Sequence, residues 1–125
     1  MSKLLKFADN DLVYGPSALG ALYMWQQKFG GKLLGDISKH DTTDDGFTWY
    51  KRSKMAINTC VNMGFKIRFD LTNMSNISGI LINKGTHSGS ETAKELRYIM
   101  KEWDRLKDSV VFYINNVEVD APWLN

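Results

Sequence analysis

A polar, glycine-punctuated loop that runs straight into an amphipathic helix, Asn83 to Leu106, constrains this chain more than any other stretch. The loop reads Asn83, Lys84, Gly85, Thr86, His87, Ser88, Gly89, Ser90. After it, Thr92 and Glu95 have the spacing of a capping box, with the hydroxyl accepting from the Glu95 amide and the carboxylate reaching back; this predicts a helix start at Thr92. Leu96, Ile99, Met100, Trp103 and Leu106 recur at three- and four-residue spacing, and Lys94, Arg97, Lys101, Glu102 and Arg105 fall mostly off that stripe. Such a helix docks by one face and shows a basic side. Loop amides and a helix N-terminus together suit a phosphate or carboxylate, with Lys84, His87 and Arg97 as cationic neighbours.

The other elements follow from local signals. Lys3 to Gly15 is broken by Asp9, Asn10 and Asp11 and reads as a loop or edge segment. Gly15 and Pro16 signal a helix start, Ala18, Leu22, Trp25 and Phe29 mark its stripe, and Gly30 and Gly31 end it. Lys32 to Ile37 suits a brief strand, and Ser38 to Gly46 a polar loop containing His40, Asp41, Asp44 and Asp45. A second helix opens at Phe47 or Thr48, buries Tyr50, Ala56, Ile57, Cys60 and Val61, carries Lys51, Arg52 and Lys54 in its early turns, and closes at Gly64. Phe65, Ile67, Phe69 and Leu71 alternate with Lys66, Arg68 and Asp70, the clearest strand signal, apolar face inward and basic face outward. Ile77 to Ile82 is a weak helix interrupted by Gly79. Val110 to Ile114 and Val117 to Val119 flank Asn115-Asn116, a two-residue hairpin turn. The fold class expected is α+β, with helices packed on one face of a small, mostly antiparallel sheet ending in a C-terminal β-hairpin.

At 125 residues the chain suits a single domain, 1–125, large enough for a core without staples. Its 43% hydrophobic and 24% charged residues exclude disorder and collagen-like repeats. The lone Cys60 excludes an intrachain disulfide and reads as a small buried hydrophobe; with only two histidines, no metal site and no cofactor are expected. A net charge of +2 excludes histone-like binding but permits a local basic face. No signal peptide or membrane span is seen, so a soluble protein with no membrane partner is expected.

Tightly spaced enzyme motifs are missing: no nucleophile elbow, P-loop, His-Glu-x-x-His or Cys-x-x-Cys. What remains is the toolkit of a metal-independent ribonuclease, in which the neighbouring 2′-hydroxyl of RNA is the nucleophile and the protein supplies proton transfer and phosphate binding. An imidazole exchanges protons at neutral pH, which makes His87 the acid-base candidate, with His40 as a second. Lys84, Arg97 and Thr86 would serve the phosphate. Ser90, Thr92, Lys66 and Arg68 would bind the rest of the substrate, and Tyr98, Tyr113 and Trp49 offer stacking surfaces. Each residue also has a bland role, as turn histidine, solvated cation or core aromatic. Two alternatives stay open: a non-enzymatic binding module such as an immunity protein or a phage or plasmid factor, and a DNase whose divalent cation is held by Asp41, Asp44 or Asp45.

The run Phe69-Asp70-Leu71-Thr72, then Gly79, Thr92 with Glu95-Leu96-Arg97, Trp103, Val111-Phe112-Tyr113 and Ala121-Pro122-Trp123, resembles the variable C-terminal toxin domains of bacterial polymorphic toxins, the contact-dependent growth inhibition and Rhs type. The likeness covers about the last sixty residues. It implies delivery by a larger secreted carrier, action in the target-cell cytoplasm, a cognate immunity protein as partner, and a domain monomeric apart from that complex. It also implies nuclease activity, often on tRNA, on a small α+β fold. Arg97 and the segment from Thr92 to Leu96 match the toxin pattern; His87 rests on the chemistry alone.

Overall fold

The computed structural model describes residues 6–16, 20–37 and 49–124. Strand β1 (Leu12–Tyr14) is followed by helices α1 (Ala21–Phe29), α2 (Leu34–Ile37) and α3 (Trp49–Asn62), then β2 (Ile67–Asp70). Helices α4 (Ile77–Leu81), α5 (Glu91–Lys101) and α6 (Trp103–Leu106) lead to β3 (Val110–Ile114) and β4 (Val117–Val119). The strands form one open sheet in the order β1-β2-β3-β4. The fold is mixed helix and sheet with the expected C-terminal hairpin, whose Asn115 (φ 50°) and Asn116 (φ 66°) take the left-handed conformations of a two-residue turn.

The sheet is not mostly antiparallel. β1 pairs parallel with β2 and β2 parallel with β3; only β3 and β4 run antiparallel. The reason lies in the connections: helices separate the first three strands, and a crossover of that length returns the chain in the same direction. Nor are the helices confined to one face. Leu12, Tyr14, Ile67, Phe69, Val110 and Phe112 join Ile57, Leu96, Ile99 and Leu106 in the main core. The alternate residues Val13, Val111 and Tyr113 meet Phe7, Trp25, Leu22 and Phe29 on the opposite face. A sheet with parallel strands is covered on both sides, and here α3 to α6 take one side and α1 the other. The expected strand at Lys32 to Ile37 is reduced to one parallel bridge, Lys32 to Leu12, before the turn of α2. At the end of the chain Trp123 packs edge-on against Trp103 (5.1 Å) and Phe112 (5.5 Å). No helix among the described residues is long and apolar enough to cross a membrane.

Asp11, buried at 2% exposure, locks β1 to β2. Its Oδ1 accepts from the Lys66 amide (2.9 Å), and its Oδ2 accepts from the Ala8 amide and from Arg68 Nε, each at 3.1 Å. Arg68 Nη1 donates onward to Tyr113 Oη on β3 (2.8 Å), and its guanidinium lies 5.0 Å from the Phe7 ring centroid. The outward basic face expected of this strand is therefore covered. Arg68 ties three strands together, and Lys66 Nζ donates to the Asp108 carbonyl at 2.5 Å. Neither cation meets the crevice described below.

A second buried polar chain joins β1, α3 and α5. Ser53 Oγ donates to Glu95 Oε2 (2.5 Å) and lies 2.6 Å from Tyr14 Oη. Burial, with a smaller push from Glu91, raises the Glu95 carboxyl from 4.5 to about 8, against the opposing Ser53 hydrogen bond; burial also raises Tyr14. Glu95 is thus a protonated core residue at neutral pH. Its folded value lies above its unfolded one, so its stabilisation is complete below about pH 4.5 and drains away as pH rises through about 8.

Two outcomes follow. Thermal stability should fall from pH 5 to pH 8 at up to about 1.4 kcal/mol per pH unit, and Glu95→Gln should flatten that profile; melting curves across the range are the check. Asp11→Ala, which strands Arg68, should cost about 3 kcal/mol in denaturant unfolding.

Candidate functional site

A crevice of about 220 Å³ opens where the parallel strands end, lined by Pro16, Asn73, Met74, Ser75, Ile80, His87, Ser90 and Thr92. Pro16 follows β1, and the segment from Asn73 to Ser75 follows β2. Open sheets with parallel strands place ligands in the crevice beyond the carboxyl ends of those strands, because the loops there can diverge without disturbing the sheet.

The opposite wall is the start of α5. Ser90, in extended conformation, is its N-cap, and the Ser90 hydroxyl accepts from the Ala93 amide at 3.1 Å. The helix therefore begins at Glu91, and the capping box expected at Thr92 and Glu95 does not form. Glu95 points into the core, while Thr92 Oγ1 donates to the Gly15 carbonyl at 3.4 Å. The Glu91 and Thr92 amides lie in the first turn, where no helix carbonyl precedes them. The Ser90 hydroxyl keeps its own proton available, so this wall presents donors.

Asn76 shapes the loop that carries His87. Its Nδ2 donates to the carbonyls of Lys84 (3.0 Å) and Thr86 (2.8 Å). The carboxamide fits there because Gly79 and Gly85 lack side chains: a Cβ on Gly79 would collide with Asn76 Oδ1 and stand 2.5 Å from the Lys84 carbonyl oxygen. Gly79, a weakness on helix propensity, is what lets α4 and the loop pack together. The chain then turns through His87 at φ 63°, a left-handed conformation tolerated by only a few non-glycine residues, and this residue lines the crevice.

The crevice brings together His87, Ser90 and Thr92 among the residues named from sequence. Lys84 and Thr86 are exposed neighbours whose carbonyls are held by Asn76, and they do not line it. Arg97 Nη1 donates to the Ile80 carbonyl at 3.1 Å, and Arg97 does not line the crevice. Tyr98 faces α3, where its hydroxyl accepts from Asn58 (3.0 Å) and Arg105 (3.3 Å). Tyr113 is core. Cys60 is buried with Sγ donating to the Lys66 carbonyl (3.4 Å), and burial pushes its thiol up. His40, Asp41, Asp44, Asp45, Ala18 and the Trp49 side chain lie outside the described residues. Asn73 and Ser75 were missed; the turn-forming run Thr72-Asn73-Met74-Ser75-Asn76 directly after a strand was their signal.

No protein-family model, curated protein or solved structure matches the chain.

Asn76→Ala should loosen the loop without unfolding the domain. Hydrogen exchange across 83–88 should accelerate about tenfold, the effect of losing about 1.4 kcal/mol of local hydrogen bonding, while the sheet amides keep their protection.

Proposed function

We propose that the chain is a ribonuclease domain of the bacterial toxin kind, with the crevice at the start of α5 as the seat of the scissile phosphate. The observation that carries this reading is the convergence of His87 with Ser90 and Thr92 at a helix N-terminus beyond the carboxyl ends of β1 and β2. In the reaction, the RNA 2′-hydroxyl attacks phosphorus, the bond to the 5′-oxygen breaks, and a 2′,3′-cyclic phosphate and a 5′-hydroxyl result. His87 takes the 2′-hydroxyl proton or delivers one to the leaving 5′-oxygen; the second transfer belongs to water or to His40. The Ser90 hydroxyl and the first-turn amides of α5 stabilise charge on the non-bridging oxygens. Arg97 and Lys84 act around the crevice, not on the reacting atoms. On this proposal the substrate is tRNA, a larger carrier delivers the domain to a target-cell cytoplasm, and a cognate immunity protein silences it.

A second reading, a binding module without catalysis, is favoured by one observation. Lys51, Lys54, Tyr50, Tyr98 and Arg105 form a basic and aromatic surface away from the crevice, and such a surface can dock a partner without chemistry.

Induced expression in bacteria separates the two. The ribonuclease predicts growth arrest with fragmented tRNA, indifferent to chelator in vitro, and a loss of about 10² to 10⁴ in cleavage rate for His87→Ala. Harmless expression of the unaltered chain assigns it to the binding class, and chelator-sensitive cleavage of DNA would replace both.

A further inference from the structure

The outward side of the α3/α5 pair is built differently from the rest of the surface. Tyr50 and Tyr98 meet edge to face, 6.4 Å apart at 83°. Lys54 Nζ sits over both rings, 4.7 Å from the Tyr50 centroid and 5.9 Å from that of Tyr98. Beside them a shallow depression of about 360 Å³ is lined by Lys51, Lys54, Met55, Asn58 and Tyr98. No carboxylate lines it among the described residues. Arg105 Nη2 donates to Tyr98 Oη and lies 3.8 Å from the Glu102 carboxylate. Lys94 and Lys101, four residues before and three after Tyr98, project from the same side of α5, Lys94 in a pair with Glu91.

We propose that this α3/α5 face binds a single-stranded segment of RNA, its phosphates on Lys51, Lys54 and Arg105 and a base on the Tyr98 ring, so that the face feeds the crevice. This rests on the RNA reading of the crevice and adds a second, non-catalytic contact to it. The two lie along one helix: from Thr92 to Tyr98 the axial rise is about 9 Å at 1.5 Å per residue, and about a third of a turn separates their directions, so one continuous strand reaches both by wrapping α5. An acidic protein segment would answer the lysines alone. The paired rings answer bases, and aromatic rings interleaved with cations are how single strands are held without sequence preference. The depression is wide and shallow, which suits a strand lying across it better than a small ligand.

The probe is a short fluorescein-labelled 2′-O-methyl oligouridylate, which lacks the nucleophile and cannot be cleaved, titrated into the full chain by anisotropy. Because the probe cannot be cleaved, its affinity is read separately from the cleavage of an unmodified strand by the same protein. Lys51→Glu/Lys54→Glu should weaken binding at least about tenfold and lower the salt slope by about 1.4, the value for two single-strand phosphate contacts. Tyr98→Leu should weaken it about tenfold through the lost stacking, while Tyr98→Phe should retain most of the affinity. If a charge-reversed protein melts early, Lys51→Ala/Lys54→Ala carries the same test. Unchanged affinity in the double variants overturns the proposal. So does preferential binding of poly-glutamate, which would assign the face to an acidic protein, and so does equal competition by duplex RNA.

Discussion

One carboxylate fixes the architecture. Asp11 stands where β1 begins, and its two oxygens hold the Ala8 amide, the Lys66 amide and Arg68, while its own carbonyl accepts from the Lys32 amide. Three segments, around Ala8 to Asp11, Lys32 and Lys66 to Arg68, meet at a single residue. A buried charge left unpaired would be strongly destabilising, so Asp11 and Arg68 specify each other. Through Tyr113 the same network reaches β3, and the register of three parallel strands becomes a property of one ion pair and its hydrogen bonds. Charge here selects among alignments that apolar residues, interchangeable in a β-branched run, would leave open.

Parallel pairing then dictates where a ligand can sit. The loops leaving β1 and β2 emerge on one edge, and the return of α5 toward that edge brings its N-terminus against them. The crevice is thus a consequence of topology, and His87 enters it only because Asn76 folds the connecting loop back over Gly79 and Gly85.

Much of this was legible in the sequence, and the failures have physical causes. The strand at Ile67, the helices around Trp25, Ile57 and Leu96, and the Asn-Asn hairpin all followed from period and turn chemistry. β1 did not, because Leu12-Val13-Tyr14 is buried on both faces and shows no alternation to read. Missing that strand removed the parallel pairing and hence the two-sided cover. Arg68 misled for a related reason: a charged residue in an alternating pattern reads as solvent-facing unless its partner, Asp11, is known to be near. Glu95 stood at capping-box spacing from Thr92, and nothing local shows that Ser53 draws it into the core. Of the crevice, the contiguous residues His87, Ser90 and Thr92 were visible as one loop and cap. Asn73 and Ser75 come from another strand end, and no local pattern links them to it.

Helix α5 joins these levels, because three of its aspects carry three different tasks. Ala93, Leu96 and Ile99 anchor it in the core, its first turn forms a wall of the crevice, and Tyr98 with Lys101 looks outward toward α3 and solvent. The seam with α3 closes over a protonated Glu95, so at neutral pH that seam contains a hydrogen bond and no net charge. Ionising that carboxyl would place an anion in the seam with the Ser53 hydroxyl as its donor, a cost of burial set against one hydrogen bond. Crevice and outward face are both mounted on the same eleven-residue helix. Neutral Glu95 therefore favours the seat of α5 against α3 that both surfaces share.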